Sequence, residues 1–257
     1  MDRVKTGIAE LDRMLGGGFM QGDAVMVAGS AGTGKTTLGL QYLYNGITKF
    51  GENGIYVTFE QLPDQIYRDA ANFGWDLKRF EEENRLQIVC TSPNLLLESG
   101  GGSLLEGPVK EIKPRRVVLD SLSHLAMYVG ENELRKEAYR TIMWFKTRGL
   151  SSMFVWESAQ LAAQSFAVTE VGMSFLVDTI LLFRMVEIES SMKKALAVLK
   201  MRGSDHDKRL REYEITPQGI RVAAPFLEYE GVITGSPRRA APENFMEMFR
   251  KAAKARK

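Results

Sequence analysis

The sequence predicts an α/β fold, in which a mostly parallel sheet is flanked by helices and extended by antiparallel strands near its end. Three observations support this prediction. Short apolar runs alternate with helix-period segments between residues 24 and 156, and a glycine-rich turn joins the first such pair. After residue 179, long alternating strands follow one another with no helix between them. Buried parallel strands are continuously apolar, whereas half-exposed antiparallel strands alternate.

The first two strand–helix pairs lie between residues 24 and 73. Residues 24–28 form an apolar run that predicts a buried strand ending at Gly29. The segment from Lys35 carries apolar residues at spacings of three, four and seven, which predict a helix with one buried face. Residues 54–59 predict the next strand, and residues 63–73 predict a helix that opens with proline and is followed by glycine.

The remaining elements follow from the same patterns. Residues 99–103 predict a flexible glycine-rich loop, and residues 131–148 predict a helix. Strands are predicted at 86–90, 117–120, 153–156, 179–188, 194–202 and 211–216. The last three are expected to form an antiparallel extension at one sheet edge.

The charge distribution divides the chain unevenly. Seven basic and two acidic residues give positions 238–257 a net charge of +5, so the rest carries −3 of the overall +2. We therefore expect one domain at 1–237 and a basic helical tail at 238–257. Such a tail either contacts an acidic partner or is simply solvated, and the acidic body does not indicate a nucleic-acid groove.

The composition excludes several classes of protein. One cysteine, Cys90, excludes a disulfide framework and a cysteine-based zinc site. Two histidines argue against a multi-histidine metal centre. No apolar run approaches the roughly 20 residues that span a bilayer, and the first residues do not resemble a signal peptide. The expectation is a soluble, cytoplasmic protein with no membrane contact.

The segment GSAGTGKT at 29–36 matches the pattern G-x-x-x-x-G-K-[ST] in full. It lies where the chemistry needs it, between an apolar strand and an amphipathic helix, so that backbone N–H groups and the helix N-terminus surround phosphate oxygens. Lys35 is expected to reach the β- and γ-phosphates, which also makes it a catalytic residue. The predicted nucleotide-binding residues are Gly29, Ser30, Ala31, Gly32, Thr33, Gly34, Lys35, Thr36 and Thr37.

A phosphate-binding loop of this kind also needs ligands for Mg²⁺. The Thr36 hydroxyl is the expected direct ligand. Asp120 ends the apolar strand at 117–120 and is the expected carboxylate, although an aspartate in that position can also simply start a turn. The predicted cofactors are therefore ATP and Mg²⁺.

Hydrolysis needs a group that orients or deprotonates water. Glu60 directly follows the second strand, and the carboxyl ends of parallel strands meet at one sheet edge. It is the catalytic candidate, unless it is only a solvent-exposed residue at a strand end.

Lys200 and Arg202 are the remaining catalytic candidates. Strand alternation over 196–202 places both on one face together with Leu196 and Val198. Two such cations either cover a solvent-exposed face or meet an anion from another subunit, as arginine fingers do.

Several segments together carry a family resemblance. They are TGIAELD at 6–12, LGGG at 15–18, FGWDL at 73–77, VDTILL at 177–182, KMRGS at 200–204 with His206, and ITGSP at 233–237. With the phosphate-binding loop, the chain resembles the KaiC-like branch of the RecA superfamily over nearly its whole length. Circadian-clock members of that family have two fused copies of the domain. One copy is present here, so no dual ring is expected.

The resemblance implies a RecA-type P-loop ATPase core that forms a homo-oligomeric ring, most often a hexamer, with ATP between subunits. It implies that Glu60 is the catalytic glutamate, although Gln61 replaces a second glutamate of the family pattern. It implies that Lys200 and Arg202 reach the neighbour's γ-phosphate. Of a serine–threonine phosphoacceptor pair, only Ser174 is present, followed by Phe175, so single-site autophosphorylation stays open.

Three functions are compatible with these observations. The leading one is a ring-forming Mg²⁺-ATPase with a regulatory or signalling role and an unknown protein partner. The second is a DNA-recombination accessory ATPase, favoured by the basic tail and disfavoured by the acidic body. The third is a nucleotide-binding regulator with negligible turnover, which Gln61 keeps open.

Overall fold

The structure, a computed structural model, describes residues 2–100, 102–158, 173–232 and 237–239. Its strands are β1 (Arg3–Val4), β2 (Phe19–Met20), β3 (Ala24–Gly29), β4 (Gly54–Thr58), β5 (Leu86–Cys90), β6 (Arg116–Asp120), β7 (Ser151–Glu157), β8 (Thr179–Ile188), β9 (Ser191–Met201), β10 (Arg211–Thr216), β11 (Gly219–Pro225), β12 (Tyr229–Glu230) and β13 (Arg238–Arg239). Its α-helices are α1 (Ala9–Met14), α2 (Lys35–Phe50), α3 (Pro63–Ala71), α4 (Leu77–Glu82), α5 (Pro93–Glu98), α6 (Glu106–Ile112) and α7 (Glu131–Lys146). Short 3-10 helices lie at Ser103–Leu105, Leu122–Met127 and Met173–Phe175.

Across the described ranges, nine strands form one sheet in the order β11–β10–β9–β8–β3–β7–β6–β4–β5. The six strands from β8 to β5 are parallel, and β9, β10 and β11 extend the edge as antiparallel neighbours. The predicted fold class is therefore confirmed. Because parallel strands share one direction, the loops that follow β3, β4, β6 and β7 all leave the sheet at the same edge.

Two apolar cores cover the two faces of the sheet. Along β3, Val25 and Val27 belong to the core beneath α1 to α4, whereas Met26 and Ala28 belong to the core beneath α5 to α7. Burial on both faces explains why the strand is apolar at every position rather than alternating. The strand that carries the glycine-rich loop is thus held from both sides.

Helix α2 begins directly after the glycine-rich loop. Gly34 precedes it with φ of 89°, and Gly51 ends it with φ of 67°, both in the left-handed region that favours glycine. Leu40, Leu43 and Ile47 are buried, as the predicted apolar face requires. Packing of this face aims the helix N-terminus, with its unpaired N–H groups, at the carboxyl edge of the sheet.

The observed elements agree with the predicted ones to within about three residues at their ends, and the structure adds elements that the periodicity did not indicate. These are the strands β1, β2, β11, β12 and β13, the helices α1, α4, α5 and α6, and the three 3-10 helices. The first two residues of the predicted tail, Arg238 and Arg239, form β13 against β12. Residues 240–257 lie outside the described residues, so the helical tail and the boundary at 237 stay predictions.

No helix within the parts of the chain that the structure describes is both long enough and apolar enough to cross a membrane.

Candidate nucleotide-binding site

The loop between β3 and α2 has a backbone that depends on glycine. Gly32 and Gly34 have φ of 75° and 89°, and a Cβ atom on Gly29 would collide with the carbonyl oxygen of Phe183 on β8. These constraints turn the loop back on itself, as a phosphate-binding loop requires. Of the other predicted loop residues, Ser30 and Thr33 are buried, Ala31 is exposed, and Thr37 lines the adjoining cleft.

Lys35 lies beneath this loop with only 6% of its surface exposed. Its Nζ donates a hydrogen bond of 2.8 Å to the Ser30 carbonyl and lies 3.8 Å from Oε2 of Glu157. Burial lowers the pKa of this ammonium, and the negative charges of Glu157, Asp120 and Glu60 oppose that effect. A poorly hydrated cation facing a turn of N–H groups is suited to bind phosphate oxygens.

Thr36 and Asp120 come together although 84 positions separate them. The Thr36 hydroxyl donates a hydrogen bond of 2.6 Å to Oδ2 of Asp120, and the Tyr56 hydroxyl donates one of 2.7 Å to the same oxygen. Burial and, to a smaller extent, the negative charge of Asp120 raise the pKa of Tyr56 well above its ordinary value. The Tyr56 hydroxyl therefore keeps its proton and donates it to Asp120 in a hydrogen bond. This hydroxyl–carboxylate pair has the hard oxygen atoms that Mg²⁺ prefers and therefore fits the ion.

A cleft of about 330 Å³ opens beside this pair. Glu60 and Gln61 lie along it, with 75% of the Glu60 side chain exposed. Gln61 donates from Nε2 to Oδ2 of Asp69 at 3.3 Å. Glu60 is therefore an exposed carboxylate along the cleft that can turn toward a water molecule, whereas the Gln61 amide is bound to Asp69.

Besides Tyr56, three further residues near the loop have no signal in the sequence patterns. Lys194 of β9 donates a hydrogen bond of 2.6 Å to the Gly32 carbonyl, and Tyr213 of β10 donates one to the Thr33 carbonyl. Ile215 lies against Gly34. These contacts come from the order of the strands in the sheet, for which no local motif gives a signal.

Lys200 and Arg202 lie at the other end of the sheet from the loop of their own chain. The register shifts between Ile180 and Leu181, which pair with Lys200 and Val198, so Leu199 is an extra residue in β9. The predicted grouping of Lys200 with Leu196 and Val198 on one face is therefore wrong, because a bulge reverses the alternation beyond it. Leu196 and Val198 instead share their core with Met201.

The two cations nevertheless point the same way. Lys200 Nζ donates to the carbonyls of Ser174 and Val177 at 2.7 and 2.6 Å, and Arg202 Nη2 donates to the carbonyl of Phe175 at 2.8 Å. Arg202 Nη1 also lies 3.5 Å from Oδ1 of Asp178. Their role toward a nucleotide stays a prediction.

Asp178 joins a charged cluster at this amino-terminal edge. Its Oδ2 accepts hydrogen bonds from the Ala24 amide at 2.9 Å and from Lys146 Nζ at 2.6 Å. Burial and, to a smaller extent, the negative charge of Asp178 raise the pKa of the neighbouring Asp23 to about 6. The cations around Asp23 act in the opposite direction and lower its pKa. Among the described residues, Oδ2 of Asp23 has no hydrogen-bond partner.

Replacement of Asp23 by asparagine is expected to stabilise the protein at neutral and alkaline pH. The raised pKa means that the folded state favours the protonated carboxyl. Ionisation of Asp23 therefore destabilises the folded state most strongly above about pH 6, and this effect disappears below the ordinary pKa of 3.8. We expect a gain of about 1 kcal/mol at pH 8, or about 2–4 °C in Tm, fading as the pH falls from 6 to 4.

Thermal unfolding across that pH range measures this effect. Asp205→Asn is the matched control, because the Asp205 side chain is 92% exposed. An equal gain for Asp23→Asn at pH 4 and pH 8 would contradict the assignment of the raised pKa to Asp23.

These features define a P-loop nucleoside triphosphatase with a RecA-like sheet. A family model described as "ATPase: KaiC" matches residues 4–225. The chain belongs to this KaiC ATPase family.

Curated relatives support the same assignment. The chain is 34% identical over 248 residues to the circadian clock oscillator protein KaiC of Thermostichus vulcanus, which covers 96% of this chain and 48% of that protein. It is 38% identical over 255 residues to KaiC of Parathermosynechococcus lividus, with 96% and 46% covered. It is 33% identical over 235 residues to the circadian clock protein KaiC3 of a Synechocystis strain, with 91% and 46% covered. The chain thus spans about half the length of the curated relatives it matches.

Proposed function

We propose that this chain binds Mg²⁺-ATP and hydrolyses it in a homo-oligomeric ring, with a hexamer as the expected size. The observation that carries the proposal is the hydrogen bond of 2.6 Å between Thr36 and Asp120, at the first turn of the helix that follows the glycine-rich loop. A hydroxyl and a carboxylate held together beside a buried lysine form the arrangement that P-loop ATPases use for a metal–phosphate complex.

Each residue then has a separate task. Thr36 would hold Mg²⁺ directly and Asp120 would hold it through water, and the bound ion would withdraw charge from the phosphate oxygens. Lys35 exchanges its bond to the Ser30 carbonyl for phosphate oxygens, together with the N–H groups of the loop. Glu60 orients the attacking water and accepts its proton.

The register of the sheet supports a site shared between subunits. Gly29, the first residue of the loop, pairs with Phe183, and Lys200 pairs with Ile180, three residues back toward the amino-terminal edge. That offset is about 10 Å along the strand, and the bonds of Lys200 and Arg202 point further away from the loop. These cations therefore do not serve the loop of their own chain. A second copy, arranged head to tail, would bring them to the γ-phosphate, and repetition of that contact closes a ring.

A second candidate is a nucleotide-binding regulator with negligible turnover. The observation that favours it is the Gln61 amide bound to Asp69, which leaves Glu60 as the one carboxylate of the family pair. A wild-type protein that binds ATP tightly without releasing phosphate would favour this candidate over the first.

The regulatory role is drawn from the names of the relatives, which are circadian clock proteins. Ser174 is half-buried in the turn that Lys200 contacts, at the amino-terminal edge of the sheet. Autophosphorylation there would use the ATP of a neighbouring subunit. Mass spectrometry after incubation with Mg²⁺-ATP tests this step, and an unmodified Ser174 at full turnover rejects it.

Substitution of Lys35 tests the nucleotide site itself. Lys35→Ala is expected to weaken ATP binding about 30- to 100-fold, because it removes a charge-assisted contact to the phosphates. Asp120→Asn is expected to reduce the dependence of binding on Mg²⁺ while it preserves an oxygen that can accept from Thr36 and Tyr56. Isothermal titration with and without Mg²⁺ measures both effects.

The matched control is Lys49→Ala, at the other end of the same helix, where Nζ binds the Gly7 carbonyl. It should leave ATP affinity unchanged. Wild-type affinity in Lys35→Ala would disprove the assignment of the site.

A further inference from the structure

A network of hydrogen bonds joins the residues that follow β6 to the end of β7. The Glu157 amide donates to Ser123 Oγ at 3.2 Å, and Ser123 Oγ lies 2.8 Å from Ser121 Oγ. Ser121 Oγ in turn lies 2.7 Å from Nδ1 of His124. The other ring nitrogen, Nε2, faces Oε2 of Glu60 at 3.8 Å. The hydrogen-bond network therefore runs from the Glu157 amide to the His124 ring, and the ring faces the Glu60 carboxylate just after β4.

The two ends of this hydrogen-bond network determine which groups donate in it. At one end the Glu157 amide can only donate, so the Ser123 hydroxyl accepts from it. At the other end the Glu60 carboxylate can only accept, so a hydrogen bond to it needs a proton on Nε2 of His124. With its proton on Nε2, the ring can accept at Nδ1 from Ser121, which can accept from Ser123. In this arrangement the ring presents an N–H donor to Glu60.

The His124 ring is held on more than one side. Its side chain is 26% exposed, Ser121 is 3% exposed, and the ring of Phe59 meets it edge-on with centroids 6.3 Å apart. Glu60, by contrast, is 75% exposed. A distance of 3.8 Å exceeds a hydrogen bond, and a movement of about 1 Å by the Glu60 side chain closes it. The fixed partner is therefore the histidine, and the mobile one is the glutamate.

We propose that His124 is a positioning residue that holds the Glu60 carboxylate toward the attacking water. This inference rests on the proposed role of Glu60 in hydrolysis. An exposed glutamate samples several rotamers, and a donor on one carboxylate oxygen selects those in which the other oxygen faces the cleft. Unlike the second glutamate of the family pattern, which Gln61 replaces here, the imidazole of His124 adds no negative charge to the cleft.

Steady-state ATP hydrolysis and ATP titration test the proposal on four variants of the full chain. His124→Phe keeps a ring against Phe59 and removes both nitrogens, so we expect kcat to fall about 10- to 30-fold with ATP affinity unchanged within about twofold. His124→Gln keeps a side-chain N–H and is expected to recover most of that loss. The double variant Glu60→Gln/His124→Phe is expected to be no slower than Glu60→Gln alone, because His124 acts through Glu60.

The outcomes separate this inference from the proposed function. If Glu60→Gln loses hydrolysis while His124→Phe retains the wild-type rate, the role of His124 is overturned and that of Glu60 stands. If Glu60→Gln retains the wild-type rate, the catalytic role of Glu60 is overturned, and the inference fails with it. Losses that multiply in the double variant would show that His124 acts independently of Glu60 and would also overturn the inference.

Ser121→Ala provides a second route should His124→Phe fold poorly, which thermal unfolding detects. It leaves the imidazole in place and removes its Nδ1 partner, so we expect about a 3- to 10-fold loss of kcat without a change in ATP affinity. An unchanged kcat in Ser121→Ala would overturn the inference.

Discussion

Replacement of Glu60 by glutamine is expected to leave ATP bound and to lower kcat for hydrolysis by about 10²–10⁴-fold. Glutamine has the same shape but cannot accept the proton of the attacking water. Because Glu60 lines the cleft and its side chain is 75% exposed, its replacement should not disturb packing. Phosphate release under saturating Mg²⁺-ATP measures kcat, and isothermal titration measures affinity.

Two other glutamates make this test specific. Glu83→Gln, which weakens ion pairs with Arg79 and Arg85 away from the cleft, should hydrolyse ATP at the wild-type rate. Glu157 lies 3.8 Å from Lys35 and is the next candidate for the base. A wild-type rate in Glu60→Gln, together with a large loss in Glu157→Gln, would move the catalytic role from β4 to β7.

Most of the fold was predictable because its main elements have strong periodicity. The central strand β3 is apolar at every position, and α2 has an apolar face of four turns bounded by glycines. The missed helices are short instead: α1, α4 and α5 have six residues each, and α6 has seven and contains Pro108. A helix of this length shows less than two turns of pattern, and tertiary packing stabilises it.

The residues of the site also differ in how well the sequence predicts them. Residues next to one another in sequence, such as the loop at 29–36, are recognisable because local backbone geometry dictates their types. Asp120 and Glu60 were predictable from the rule that parallel strands end at one edge. Tyr56 and Lys194 were not, because their contacts depend on register between strands distant in the sequence.

The bulge in β9 shows a further limit. A prediction from alternation assumes that every residue pairs, and one unpaired residue reverses all faces beyond it. Leu199 is such a residue, and nothing in the sequence around it distinguishes it from the paired residues of β9. The faces of Lys200 and Arg202 could therefore be assigned only from the structure.

The position of these two cations leads to the second large expected effect. Arg202→Ala should lower ATP hydrolysis about 10³-fold or more if its guanidinium neutralises charge that develops on a neighbour's γ-phosphate. If Arg202 only binds the Phe175 carbonyl and Asp178 within its own chain, its removal should change stability and leave the rate per folded molecule unchanged. Hydrolysis assays paired with thermal unfolding separate these two roles.

A mixing experiment decides whether the site is shared. Lys35→Ala and Arg202→Ala should each be nearly inactive alone, because every site in either ring lacks one group. In a mixture that exchanges subunits, some interfaces join an intact loop from one variant to an intact Arg202 from the other. With random exchange at equal amounts, about a quarter of the interfaces are complete, so activity should return to a comparable fraction of wild type.

The matched control mixes Lys35→Ala with Asp120→Asn. Both residues serve the nucleotide of their own chain, so neither partner can complete the other's site and no activity should return. Subunit exchange is verified independently, by native mass spectrometry of isotope-labelled protein. Recovery in the Arg202 mixture and none in the control would show that the loop and Arg202 of one site belong to different chains. No recovery in either mixture, with exchange demonstrated, would mean that Arg202 does not act across an interface. The proposed ring would then have no role in catalysis.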